Sequence, residues 1–310
     1  MEVTANLVKE LREMTGAGMM DCKKALAATD GDMDKAIEFL REKGLAAAEK
    51  KAGRIAAEGM VGSNVSADGQ IAAIVEVNSE TDFVAKNEKF RDYVAAVAAQ
   101  AANSTANDMD TFFAEKWALD TSMTVKEELS SMIAVIGENM NIRRFERIVA
   151  EDGFVMSYIH GGGRIGILVE IASTVNNAEV QEAAKNVAMQ IAAMSPKYVD
   201  QSEISADFIA HEKDILKAQI MNDESNAKKP ENIIEKMLEG RLLKELKEFC
   251  LVDQVYVKDG DLSVGKYLES VSKQVGAPVA VKRFVRFETG EGIEKKSENF
   301  AEEVARQMGN

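Results

Sequence analysis

The chain has 310 residues, 46% of them hydrophobic, 29% charged and three of them proline, enough apolar chain for about two domains' worth of packed core and no match for a disordered or fibrous polypeptide. Lysine and arginine number 38 against 52 acidic residues, and a net charge of −14 repels phosphate backbones and anionic lipid, so neither direct nucleic-acid binding nor membrane binding is expected. Cys22 and Cys250 are far apart in sequence, which fits a reducing compartment, and no apolar run reaches the length of a membrane span, so the expected location is cytoplasmic.

In chain order, residues 1–55 pattern as three short helices. Thr4 can cap a helix carrying Leu7, Val8 and Leu11, and the Gly16 to Gly18 break ends it. Met20 to Ala28 forms the second; Asp30, Gly31 and Asp32 turn the chain; Ala36, Ile37, Phe39 and Leu40 form the third stripe, closed by Lys43 and Gly44. Ala46 to Arg54 reads as a connector.

An internal repeat follows. Residues 59–77 lie over 153–171 without a gap at an offset of 94, with Gly59, Val61, Ser63, Gly69, Ile71, Val75 and Glu76 identical to their counterparts. Each copy alternates apolar and small residues across a glycine-bearing turn, which predicts a β-hairpin, and then continues as an Ala-rich helix. Residues 125–148 match 264–287 at an offset of 139, sharing Leu129, Gly137, Arg144, Phe145 and Arg147, and each reads as helix then strand. The larger offset places an insertion in the second copy, where Ile204, Phe208, Ile215 and Ile220, then Ile233, Met237, Leu238, Leu242 and Leu246, predict two antiparallel helices.

The expected class is therefore α+β. A three-helix domain covers 1–55, one core subdomain 56–150, and the other 151–201 with 250–288. A helical hairpin arm covers 202–249, and a short helical module with Phe300, Val304 and Met308 covers 289–310.

Chemistry-bearing motifs are sparse. His160, His211 and two separated cysteines cannot build the usual zinc or iron clusters, and no phosphate-binding G-x-x-x-x-G-K-[ST] occurs. The run from His160 to Gly166 matches G-x-G-x-x-G, but a β-branched segment follows it rather than a helix, so it reads as a hairpin turn. His160 is then either a solvated turn residue or a contact on a binding face. Arg143, Arg144 and Arg147 alternate with Ile142 and Phe145 as the solvent face of a strand.

The two copies differ most where residues 79–86 (SETDFVAK) face 173–180. Thr81 or Ser79 can cap the next helix with Asp82 in its first turn, where the helix dipole favours a carboxylate. Phe83 shares a helical face with residues 90, 94, 97 and 101, but Asn87 interrupts that stripe. An exposed aromatic beside a carboxylate is the alternative, and that pairing is typical of binding hot spots.

The segments Leu7 to Ala25 (LVKELREMTGAGMMDCKKA), Glu76 to Lys86 (EVNSETDFVAK), Ile136 to Arg144 (IGENMNIRR), His160 to Gly166 (HGGGRIG), Lys236 to Arg241 (KMLEGR) and Arg286 to Glu294 (RFETGEGIE) together resemble the bacterial elongation factor Ts family. The resemblance implies a three-helix domain like the ubiquitin-associated fold, a core of two related subdomains, a coiled-coil arm and a C-terminal module. It also implies a guanine nucleotide exchange factor for elongation factor Tu that needs no cofactor and makes or breaks no bond. Thr81, Asp82, Phe83 and Val84 would carry the exchange activity at the partner's magnesium and phosphate site. Met19 and Met20 would belong to the N-terminal grip, His160 and Gly161 to a second contact, and the arm either to a homodimer or to the partner. A scaffold without exchange activity and a carboxylate-based hydrolase are the competing classes.

Overall fold

The computed structural model describes residues 3–226 and 229–294. Helices α1 (Ala5–Thr15), α2 (Met19–Ala28) and α3 (Met33–Lys51) bury Val8, Leu11, Cys22, Ala25, Leu26 and Ala36 against one another. Thr4 Oγ1 accepts from the Leu7 N–H at 3.3 Å, Asp32 caps α3, and Gly16 ends α1 in the left-handed region (φ 66°).

Strands β1 (Glu58–Val65) and β2 (Ile71–Ser79) form the first hairpin. A four-residue turn, α4 (Asp82–Ala85), leads to α5 (Glu88–Asn103) and α6 (Met109–Ala114). The hairpin of β3 (Lys116–Trp117) and β4 (Asp120–Thr124) precedes α7 (Val125–Ile136), and β5 (Met140–Val149) pairs antiparallel with β2. The second copy repeats this order: β6 (Phe154–His160), β7 (Ile165–Ala172) and α8 (Ala178–Met194). Then come the arm helices α9 (Ala206–Asn222) and α10 (Glu231–Phe249), the hairpin of β8 (Val255–Tyr256) and β9 (Asp259–Ser263), α11 (Val264–Val275) and β10 (Ala280–Glu288).

The sheets run β1-β2-β5 and β10-β7-β6. Val75, Val77, Phe90, Val94, Val97 and Ile133 join the first sheet to α5 and α7, and Ile167, Val169, Ile171, Val187, Ile191 and Leu268 join the second to α8 and α11. Between the sheets, Val61, Ile74 and Ile148 meet Val155, Leu168 and Phe287. The layers are therefore helices, sheet, sheet, helices, an α+β core in which each sheet is buried on both faces. In the arm, Leu216 and Ile220 face Ile234 and Leu238. Ile215, expected on the inner stripe, is instead exposed, one residue off the seam.

Two sequence expectations change, and a third lies beyond the described residues. First, α3 does not close at Gly44 but continues through Lys51, because Gly44 faces Ser130, Ser131 and Ala134 of α7 and lets the helices lie close. Most of the expected connector is thus helix. Second, Arg143 and Arg144 are not a solvent face. A bulge between Glu76 and Val77 leaves Arg143 unpaired, and both arginines reach the fully buried Glu76 carboxylate, Arg143 Nη1 at 3.1 Å and Arg144 Nε at 2.6 Å. The same bulge recurs at Lys282 and sends Arg283 Nε to the buried Glu170 at 2.6 Å. Third, the C-terminal stripe of Phe300, Val304 and Met308 lies outside the described residues.

Candidate functional site

The register of the first copy breaks at one place. Ser79 matches Ser173 at the offset of 94, but the next equivalent landmarks are Asn87 and Asn177, which cap α5 and α8 and lie at an offset of 90. The first copy thus carries four additional residues, the length of α4. The ungapped facing of residues 79–86 with 173–180 is corrected accordingly: Asp82–Ala85 is a turn that the second copy lacks, not a divergent stretch of a shared helix.

That turn is fixed from both sides. Thr81 does not cap it through its side chain; its N–H and Oγ1 both donate to the Glu138 carboxylate, at 3.0 and 2.7 Å. Ser79 Oγ donates to the Thr81 carbonyl at 3.0 Å, and Glu80 accepts from the Asn139 N–H at 2.5 Å. Downstream, Asn87 Oδ1 accepts from the Lys89 and Phe90 N–H groups and starts α5 afresh. This restart separates Phe83 from the buried stripe of Phe90, Val94 and Val97. Val84 is buried in the core of the first copy and pins the turn from beneath, while Phe83 is 76% exposed.

Asp82 Oδ2 accepts from Lys86 Nζ at 2.9 Å, and that bond holds its carboxyl below the usual aspartate range despite a small opposing desolvation. The Lys86 ammonium lies 5.5 Å from the centroid of the Phe83 ring. The result is an aromatic ring on a rigid mount, flanked by a carboxylate that stays ionised at neutral pH. An exposed aromatic of this kind is the residue type enriched at binding hot spots.

The remaining candidates sit on other elements. Met19 and Met20 open α2 and are 57% and 63% exposed, with Met14 similarly open at the end of α1. Gly16 lies against Lys89 and Val135, so this end of the three-helix unit borders the start of α5, just past the Phe83 turn. His160 ends β6, exposed, with Nδ1 3.0 Å from the phenolic hydroxyl of Tyr158. Gly161, Gly162 and Gly163 follow in the left-handed region. Gly163 is required there: a Cβ would come within 2.7 Å of Met60 Cβ, and its carbonyl accepts from Val61 N–H at 2.7 Å. The His160 loop is thus tied to β1, and no described contact joins it to the Phe83 turn. Glu138, Glu80 and Lys86, which mount and flank the ring, were not singled out from sequence; their signal was proximity to the matching blocks at 76–86 and 136–144. Among the described residues no group of three or more His, Cys, Asp or Glu side chains converges as metal ligands, and no helix is long and apolar enough to cross a membrane.

A family model described as Elongation factor TS matches residues 80–291. Proteins named Elongation factor Ts from Clostridium novyi (strain NT) and Clostridium perfringens (strain SM101 / Type A) are 54% and 55% identical over 306 and 307 residues, covering 99% of this chain and 99% of each relative. One from Clostridium tetani (strain Massachusetts / E88) is 52% identical with the same coverage.

Proposed function

The chain belongs to the elongation factor Ts family, and on that premise we propose that it is a guanine nucleotide exchange factor that binds elongation factor Tu·GDP in the cytoplasm and promotes GDP release, allowing GTP to rebind during translation elongation. Bond-making chemistry is not part of this role. The observation that carries the reading is Phe83, exposed on a mounted four-residue turn that the other copy of the repeat does not have.

In this reading the Phe83 ring enters the GTPase beside its magnesium and phosphate site and holds apart the side chains it meets there. Asp82 brings a negative charge to the same place, which weakens retention of the cation that neutralises the nucleotide phosphates. Thr81 and Val84 act through the mount, the first through Glu138 and the second through the core. Met19 and Met20 extend the contact along the three-helix unit, and His160 with Gly161 forms a second, separate contact.

No nucleotide needs to touch this chain. If it binds the empty GTPase more tightly than the GDP-bound form, linkage requires that GDP be held more weakly in the ternary complex by the same factor. Each tenfold of differential affinity corresponds to about 1.4 kcal/mol. Stopped-flow release of fluorescently labelled GDP from elongation factor Tu is the direct test. Phe83→Ala should slow catalysed release by about tenfold or more while the thermal melt of the chain is unchanged. An unaltered release rate overturns the assignment, and binding without accelerated release identifies a scaffold instead.

A further inference from the structure

A helix of four residues closes about one backbone hydrogen bond for all the dihedral angles it fixes, so α4 cannot hold its own shape or aim the Phe83 ring unaided. Its orientation comes from outside. Glu138 and Asn139, which follow α7, supply it: the half-buried Glu138 carboxylate accepts from both the N–H and the hydroxyl of Thr81, and the Asn139 N–H donates to Glu80. Asn139 Nδ2 also donates to the Arg54 carbonyl at 2.7 Å, and Arg54 Nη1 pairs with Glu80 at 3.3 Å. The segment leaving the three-helix unit is thus gripped at the same point.

The internal repeat serves as a control. At the offset of 94, Glu80 and Thr81 correspond to Thr174 and Val175; at the offset of 139, Glu138 and Asn139 correspond to Ala277 and Pro278. Pro278 has no N–H to give, Ala277 has no carboxylate, and Val175 has no hydroxyl. The second copy thus lacks the donors and acceptors of this mount together with the turn that they hold. Its framework is otherwise kept: α7 and α11 have the same length, and Gly137 and Gly276 end them at φ 89° and 71°. Its short link is satisfied locally instead, the Val175 N–H by Ser173 Oγ at 3.2 Å and the Val279 N–H by Ser272 Oγ at 2.9 Å. A half-buried carboxylate is costly without donors, so its presence only beside the turn marks it as part of the turn's mount.

We infer that Glu138 is a positioning residue for nucleotide exchange: acting through Thr81, and not by contact with the GTPase, it holds α4 so that the Phe83 ring is already aimed before the partner arrives. The inference rests on the exchange role proposed above. Two charge-assisted hydrogen bonds to one carboxylate give the restraint both strength and direction, and a ring ordered in advance spends less of its contact energy on being ordered at the interface.

Two measurements on the full chain test it. In the chain alone, amide hydrogen exchange over residues 81–87 should quicken about tenfold in Glu138→Ala. In stopped-flow release of labelled GDP from elongation factor Tu, the maximal rate should fall about tenfold, while the chain concentration giving half that rate shifts less than about twofold, because the ring is misplaced rather than removed and the other proposed contacts are untouched. Glu138→Gln keeps an acceptor oxygen and should restore most of both. Thr81→Val, which installs the second copy's residue, should move both readouts the same way by less, and it covers the case in which Glu138→Ala fails to fold by circular dichroism. Unchanged release in Glu138→Ala, a Gln variant as slow as the Ala variant, or a raised half-saturating concentration with the maximal rate intact overturns the inference. A parent chain that fails to accelerate release refutes the exchange reading instead, and the amide measurement then still decides whether Glu138 fixes the turn.

Discussion

The hydroxyls of Ser63 and Ser157 lie 2.6 Å apart, and the two residues are the same position of the repeat, 94 residues apart in the chain. A position can meet its own counterpart only where an approximate twofold axis passes, so this pair marks the axis relating the two copies. Other contacts are reciprocal about it. Val61 N–H donates to the Gly163 carbonyl at 2.7 Å and Val155 N–H to that of Gly69 at 2.8 Å. Arg144 reaches the Glu288 carbonyl at 3.3 Å and Arg283 reaches that of Val149 at 3.2 Å, so the end of each third strand is bonded to the arginine of the other copy.

Replacing either serine by alanine leaves the other hydroxyl in a half-buried setting without its partner. Each single change should cost about 1 kcal/mol, and the double change less than the sum of the two. Urea denaturation of the four proteins gives the coupling directly. Additive costs would mean that the hydroxyl pair contributes nothing beyond two separate contacts with water.

The symmetry is incomplete at the buried acids, and the difference carries a pH dependence. Glu76 accepts from Asn78 at 3.0 Å, Gly290 N–H at 2.8 Å, Arg143 and Arg144, whereas Glu170 Oε1 has no hydrogen-bond partner, only Lys282 Nζ at 3.5 Å. Burial raises the Glu76 pKa, but Asn78, the Gly290 N–H and Arg144 outweigh it and the net shift is downward from 4.5. A carboxyl depressed in the folded state contributes stability that is complete above its unfolded pKa and is lost as pH falls through the folded value. Glu76→Gln should therefore cost about 3 kcal/mol at pH 7, the low end for a broken buried pair because both arginines keep access to water. The gap to the parent chain should narrow below about pH 4.5. Chemical denaturation at pH 7 and pH 4 reads it, and a gap independent of pH would assign the loss to packing alone.

The repeat was legible in the sequence because both copies reuse glycines at turns and apolar residues at period two, features set by backbone geometry rather than by composition. The arm was legible as the difference between two offsets. The β3–β4 and β8–β9 hairpins were not, since strands as short as Lys116–Trp117 and Val255–Tyr256 are below the length at which periodicity can register. Arg143 and Arg144 were misassigned because strict alternation sends neighbours to opposite faces, and a one-residue bulge defeats that rule. At the candidate site, the 81–84 block stood out in the sequence, but the exposure of Phe83 was left open. Asn87 was visible as an interruption, but only its bonds to Lys89 and Phe90 N–H show that it starts a new helix and leaves Phe83 outside the stripe.

The additional turn can be tested by making the first copy resemble the second. Deleting Asp82–Ala85 would leave Glu80, Thr81 and Lys86 between Ser79 and Asn87, the same three-residue span that joins Ser173 to Asn177. Since the second copy closes that span with its sheet and helix intact, the shortened chain should fold. Its cost is the burial of Val84 and the bonds of Thr81 to Glu138, on the order of 2–4 kcal/mol. Catalysed GDP release should fall to the spontaneous rate, while the contacts proposed for Met19, Met20 and the His160 loop should still support weakened binding to the GTPase. Thermal melting, a binding isotherm and stopped-flow release on one preparation separate these outcomes. A folded deletion variant that still accelerates release would show that the exchange activity resides elsewhere on the molecule, whatever Phe83 contributes to affinity.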